Sequence, residues 1–372
     1  MTIHIAADAL TDLCAEVFER IGSKSGEARR VAASLVDANL TGHDSHGVIR
    51  MPRYLDWVRS GDIVPNQMIE RLVDTPVIAV VDGRFGFGQT MAPQAVDIGV
   101  GKAKAAGLTA VSLRNSGHVG RVGEWAERAA DAGLISIHFV NARGSVLVAP
   151  FGGLERRLST APFCIGIPRE DAPPVVLDFA TSLVAEGKVN VASRGGKPLP
   201  PDSLIGPDGA LSGDPALLYG PLDREGPRSA VGPGAIRAFG EHKGSGLALL
   251  CELLGGSLTG NGATEPGRKF ANGMFSLYVD PKQVDPSHVF NEDMSRYLDW
   301  FRQAKTLPGE AILTPGEPER TARAQRSAQG VPLPSEAWAS IVAAARSVGV
   351  KRDVPSDVMA AWSRSTRSSP IA

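Results

Sequence analysis

The sequence predicts an α/β protein, with a mixed sheet at its centre and flanking helical regions from both termini. Three observations predict it. Short β-branched runs cluster in the middle of the 372 residues, and amphipathic helical stripes occupy the two ends. No GxGxxG opens a helix after a strand, so the centre lacks the fingerprint of a Rossmann unit.

The elements follow in chain order. Leu10, Leu13, Cys14, Val17, Phe18 and Ile21 repeat at helical spacing, and Gly22 supplies a stop. A second helix starts at Ser25 and carries Val31, Leu35 and Ala38 as its apolar stripe. The texture changes near residue 76. Val77 to Val81, Thr109 to Leu113, Ile135 to Val140, Val175 to Leu177 and Met274 to Tyr278 read as strands between turn residues. Helical segments Gln94 to Ala106, Gly123 to Ala132 and Gly246 to Leu258 lie between some of them. From Lys197 to Gly234 the chain holds eight prolines and little periodicity, which marks a long surface excursion serving as a lid or a subunit contact. Helical character returns at Ala337 to Ala345 and Val354 to Trp362, before a frayed tail from Ser363 to Ala372. The expected organisation is a helical region over 1–75, a mixed-sheet cofactor-binding domain over 76–299, and a C-terminal helical region over 300–372 packing with the first.

Composition narrows the function classes. Lysine and arginine total 39 against 40 acids, so the near-zero charge offers no basic face for nucleic acid. No apolar run approaches the roughly 20 residues that cross a bilayer, and the N-terminus lacks a secretory pattern. Cys14, Cys164 and Cys251 form neither a disulfide framework nor a CxxC site, as expected of thiols buried in a reducing cytoplasm.

Chemistry concentrates in three clusters that contain four of the seven histidines. The first is Gly42-His43-Asp44-Ser45-His46-Gly47-Val48-Ile49-Arg50. A histidine gives or takes a proton near neutrality, and an arginine grips a carboxylate through two parallel bonds. If a helix continues through this stretch, Arg50 falls four residues on, on the same face as His46. The cluster reads equally as a helix end with Asp44 and Ser45 as caps. His43 and His46 could also ligate a metal, with Asp44, His118 or His242, although no compact third ligand follows.

The second cluster, Asn115-Ser116-Gly117-His118-Val119-Gly120-Arg121, lies between a strand and a helix start, where free N–H groups can receive an anion. The plain alternative is a strand-to-helix turn. Asp178 ends another strand-like run, as a ribose or imidazole partner or as a cap. The third cluster, Gly240-Glu241-His242-Lys243-Gly244-Ser245-Gly246, places a lysine before a glycine-rich turn and an apolar helix, suited to a phosphate or ribose.

In order and spacing these clusters resemble the malate/L-lactate dehydrogenase family, which is distinct from the Rossmann-type lactate dehydrogenases. Ser45-His46-Gly47, Asn115-Ser116-Gly117-His118, Leu177-Asp178-Phe179-Ala180-Thr181-Ser182, His242-Lys243-Gly244 and Pro315-Gly316-Glu317 carry the resemblance, which is nearest to its hydroxycarboxylate dehydrogenase branch. It implies a non-Rossmann mixed sheet, a cytoplasmic homodimer, and hydride transfer between NAD or NADP and a 2-oxo acid or 2-hydroxycarboxylate. His46 would then exchange the proton with Ser45 beside it, and Arg50 and Thr160 would hold the substrate carboxylate. His118, Val119, Gly120, Arg121, Val122, Asp178, Phe179, Ala180, Gly187, Lys188, His242, Lys243, Gly316 and Glu317 would line the cofactor, with no metal. The alternative within the family is cyclic-imine reduction. Lys188 stands where those reductases tend to carry aspartate, which favours the hydroxy acid.

Overall fold

The computed structural model describes residues 2–193, 197–221 and 230–351. The segments expected at Val354 to Trp362 and Ser363 to Ala372 lie outside the described residues, as do parts of the proline-rich excursion.

Both ends of the chain build one helical layer. Strand β1 (Thr2–Ile5) pairs antiparallel with β13 (Val331–Pro334). Helices α1 (Ala7–Arg20), α2 (Ser25–Leu40), α3 (Met51–Arg59) and α12 (Ser335–Ser347) then share one core. Leu10, Leu13, Phe18, Leu35, Tyr54 and Ile341 are fully buried in it. Burying each large apolar side chain contributes about 1.5–3 kcal/mol, which ties residues more than 300 positions apart in sequence.

The central sheet has seven strands in the order β2-β3-β4-β12-β5-β7-β8. These are β2 (Glu70–Asp74), β3 (Ile78–Asp82), β4 (Leu108–Ser116), β5 (Ile135–Arg143), β7 (Pro162–Ile167), β8 (Val175–Ala180) and β12 (Ala271–Val279). Only β3 and β4 run parallel, so the sheet is mixed. Helices α4 (Gly88–Ala106) and α5 (Val122–Asp131) bury Met91, Val96, Trp125 and Ala126 in a core shared with sheet residues. Helix α8 (His242–Cys251) continues as a π-helix over Glu252–Leu258 that packs on β5 and β12.

The excursion is more structured than its proline content predicts. A second sheet, β10-β9-β11-β6, joins β6 (Val148–Ala149), β9 (Leu204–Ile205), β10 (Leu211–Ser212) and β11 (Ala235–Arg237), with α6 (Glu186–Ser193) and α7 (Ala216–Tyr219) beside it. Arg156 holds this layer by donating to the carbonyls of Leu218, Ala230, Gly232 and Gly234 at 2.5–3.2 Å. The short α9 (Pro281–Val284), α10 (Phe290–Arg302) and α11 (Glu317–Gln329) return the chain to the helical layer. Among the described residues no helix is long and apolar enough to cross a membrane.

Candidate active site

The first histidine cluster does not form one helix. Asp44–His46 and Val48–Arg50 are separate single turns, divided by Gly47 in an extended conformation (φ −83°, ψ −159°). Arg50 therefore does not follow His46 on one helical face, which corrects the sequence expectation. Asn39 explains the break: its Oδ1 accepts from Val48 N at 2.9 Å, and its Nδ2 donates to Asp44 at 2.6 Å. A Cβ at position 47 would lie 2.2 Å from that Oδ1, so only glycine fits there. Asp44 is a brace and not a ligand, because Arg326 of α11 donates to both its oxygens at 2.7 and 3.1 Å.

This turn forms part of the wall of a cavity of about 2250 Å³ between the helical layer, the main sheet and the excursion. His46 and His118 stack on that wall with ring centroids 5.5 Å apart and planes 10° from parallel. The Nδ1 of His46 lies 3.1 Å from Ser45 Oγ, and the Nδ1 of His118 lies 2.7 Å from Tyr54 Oη. Among the described residues neither Nε2 has a protein partner, so both are free for a substrate. Burial, then His118, then Arg50 disfavour the His46 imidazolium and hold its pKa well below the ordinary 6.5. Burial and Arg50 push His118 down to about 3.

Arg50 reaches the same space by a different route. Its Nε donates to the Ser45 carbonyl at 2.6 Å, and one terminal nitrogen donates to Glu186 of α6 at 3.3 Å. Tyr219 of the excursion donates to the other Glu186 oxygen at 2.6 Å. The second terminal nitrogen of Arg50 has no protein partner among the described residues, and Thr160 lines the cavity with it. Gly187 is set by sterics, since a Cβ there would lie 2.3 Å from the Ser45 Cβ. Buried Glu252 fixes the strand entering this wall by accepting from Ser159 N at 3.2 Å and Ser159 Oγ at 2.5 Å.

The residues expected along the cofactor divide into two groups. His118, Val119, Gly120, Val122, Asp178, Phe179, Ala180, Gly187 and Lys188 all line the cavity. Arg121, His242, Lys243, Gly316 and Glu317 do not, and each has a physical reason. Arg121 is 2% exposed and donates to Glu127 at 2.6 and 3.1 Å and to Asp37 at 3.2 Å, so it is an internal ion-pair centre. His242 and Lys243 are exposed at the start of α8, with His242 edge-on to Phe151. Gly316 takes a left-handed φ of 94° as the cap of α11, and Glu317 accepts from Arg302 and Thr314 N. Glu319, two residues on, faces the cavity and lies 3.2 Å from His43 Nε2.

The expected anion seat at the start of α5 is also partly used. Asp178 accepts from Gly123 N at 2.7 Å, which caps the helix with a protein carboxylate. His43 turns to Glu319, and among the described residues no three metal-ligating side chains gather.

The remaining wall is aromatic. Trp57 and Phe270 stack with centroids 4.6 Å apart and 13° between planes, and the Arg53 guanidinium lies 5.6 Å from the Trp57 ring. Tyr54, Trp57, Glu319 and Glu186 carry no motif that a single sequence flags. Only their spacing from His46 on α3 could have pointed to Tyr54 and Trp57.

Comparison with known proteins gives this site a context. The family model described as malate/L-lactate dehydrogenase matches residues 5–342. Hydroxycarboxylate dehydrogenase B of Escherichia coli (strain K12) is 36% identical over 353 residues, covering 93% of this chain and 95% of that protein. A Δ(1)-pyrroline-2-carboxylate reductase of Ancylobacter novellus is 31% identical, covering 89% and 94% of the two chains. The solved malate dehydrogenase from Pyrococcus horikoshii OT3 superposes with a TM-score of 0.81 at 29% identity, covering 94% of this chain and 97% of that one.

Proposed function

Because this chain belongs to the malate/L-lactate dehydrogenase family, we propose that it interconverts a 2-oxo acid and its 2-hydroxycarboxylate with NADH or NADPH. Membership makes it a hydride-transfer oxidoreductase. The observation that carries the finer reading is the stacked His46–His118 pair beside Arg50, with two unpartnered Nε2 atoms on one cavity wall.

The cavity fits a dinucleotide together with a substrate, being larger than the roughly 300–1,000 Å³ of ordinary ligand pockets. Val119, Gly120, Val122, Asp178 to Ala180 and Lys188 would hold NAD(P)H, which when bound supplies hydride from its nicotinamide ring. The chain's own residues do the rest. The free terminal nitrogen of Arg50 takes the substrate carboxylate, with Thr160 beside it. His46 gives its proton to the oxygen in reduction and recovers it in oxidation. The Ser45 hydroxyl can rotate to donate to Nδ1 or accept from it, so it supports both protonation states of His46. His118 stays neutral and donates one hydrogen bond to the same oxygen, the role a depressed pKa suits.

The oxo acid's side chain would lie against Trp57 and Phe270 under Arg53, so a flat or acidic group fits better than a methyl. A panel at 340 nm with NADH and NADPH tests this. Phenylpyruvate or 2-oxoglutarate should exceed pyruvate in kcat/KM, and equal rates for all three would remove the aromatic wall from substrate choice. The second reading, cyclic-imine reduction, is favoured by the pyrroline-2-carboxylate reductase relative. Lys188, Arg50 and Arg53 weigh against it, because they line the cavity where an iminium cation would have to sit.

The depressed His46 pKa fixes the sign of a pH effect. Reduction needs the imidazolium, so its kcat/KM should keep rising as pH falls through 6.5, with a plateau only well below it. Oxidation needs the free base, so its kcat/KM should stay level from neutrality down past pH 6.5. An oxidation profile that falls with a midpoint at or above 6.5 would contradict this reading.

The π-helix end and α8 also leave Leu249, Leu250, Leu253 and Leu258 about half exposed. A second copy of the chain would cover them, giving a homodimer with twice the 39.0 kDa mass. A monomer in light scattering would exclude it.

A further inference from the structure

Behind the two histidines, and away from the cavity, a third polar side chain has no evident structural task. Gln89, near the start of α4, is fully buried. Its Nε2 donates to Tyr54 Oη at 2.9 Å, and its Oε1 has no partner. A buried amide with one orphaned oxygen is costly, and an apolar residue in that volume would avoid the cost. The hydrogen bond it does make must therefore serve something else.

The direction of hydrogen bonding along this chain shows what that is. Gln89 donates to the Tyr54 oxygen, so the Tyr54 hydroxyl proton is free to point at its other neighbour, His118 Nδ1, 2.7 Å away. A neutral imidazole that accepts at Nδ1 carries its proton on Nε2, the nitrogen facing the cavity. Burial drives the Tyr54 pKa up, so the phenol keeps its proton and the chain fixes the tautomer without relaying a proton. Ser45, by contrast, can reverse its bond to His46. One imidazole is held in a single tautomer and the other is left free to switch.

We propose that Gln89 is a positioning residue for the reaction: acting through Tyr54, it holds the His118 proton on Nε2 so that this ring donates to the substrate oxygen. The inference rests on the dehydrogenase reading for its catalytic consequence, but not for the tautomer. Two variants test it. Gln89→Leu removes the donor, and Tyr54 becomes free to accept from Nδ1–H. Gln89→Glu, once ionised, accepts the Tyr54 proton and reverses the chain, which puts the His118 proton on Nδ1.

Nitrogen-15 NMR of the imidazoles reads the tautomer directly. Buried His138, bonded to Ser136 and Ser276, serves as the internal reference for an intact fold. The expected result is Nε2–H for His118 in the unaltered protein, a mixture in Gln89→Leu and Nδ1–H in Gln89→Glu. With it, kcat should fall about 10²-fold in Gln89→Glu, the cost of one lost oxyanion donor, while cofactor KM stays unchanged. The same tautomer in all three proteins overturns the proposal and leaves the dehydrogenase reading standing. A reversed tautomer with unaltered kcat removes His118 from the reaction and overturns the positioning role.

Discussion

Replacing His46 by alanine is expected to lower kcat in 2-oxo acid reduction by about 10²–10⁴-fold, the range a positioned acid or base contributes. Cofactor KM should change little, because the ring's hydrogen-bond partner is Ser45 and its ring neighbours are His43 and His118, none of them among the residues proposed to hold the cofactor. The fold should survive, since Asn39, Asp44 and Arg326 hold the turn without the imidazole. The remaining rate would come from Arg50 and His118, which still orient and polarise the carbonyl. Steady-state kinetics over pH make the check sharper: the rise of the reduction rate toward low pH should vanish with the ring. A variant with full kcat would take His46 out of the proton transfer.

Replacing Arg121 by methionine is expected to act on stability. Its guanidinium is almost wholly inside the protein, between Glu127 and Asp37, and breaking a buried pair costs about 3–5 kcal/mol. Arg323 still meets both Asp37 oxygens, which keeps the loss toward the lower end of that range. Glu127 is left the more exposed of the two to an unpaired state, and the α2–α5–α11 junction loosens with it. A lowered urea midpoint, with cofactor KM near that of the unaltered protein, is the predicted result. A raised cofactor KM at unaltered stability would return Arg121 to the cofactor, as its motif alone suggests.

That contrast shows what one sequence can reveal. Local patterns singled out His46, Ser45 and His118 as candidates, but not the pairing of His118 with Tyr54, 64 residues away. Periodicity located α1, α2 and the core strands, whose burial repeats at 3.6 or 2 residues. The strand β7 was hidden because it contains Pro162 and Gly166, and β2 because it is a fully exposed edge with charges at Glu70, Arg71 and Asp74. Helix α11 buries no residue completely and has no apolar stripe to find, whereas α10 carries Phe290, Met294, Tyr297, Leu298 and Phe301 at helical spacing without burying any of them fully.

Long-range polar pairing was the other blind spot. Arg121 with Asp37, Arg326 with Asp44 and His43 with Glu319 join positions 84, 282 and 276 residues apart. Nothing in a single chain says which of its 40 acids meets which of its 39 bases. Glu317 is held by Arg302 and Thr314 N, and Glu319, the next acid along the helix, is the one that lines the cavity. Arg50 lines the cavity with His46, but through Gly47 and Asn39, by a broken turn that no helical wheel describes.

The most direct measurement follows the hydride itself. The enzyme is given a 2-oxo acid with NADH or NADPH carrying deuterium at both nicotinamide C4 positions, and the product is read by proton NMR and mass spectrometry. One deuterium at C2 of the hydroxy acid, with the hydroxyl proton drawn from water, is the predicted outcome. A product that carries no label at C2, or no turnover across the oxo acid panel, would contradict it.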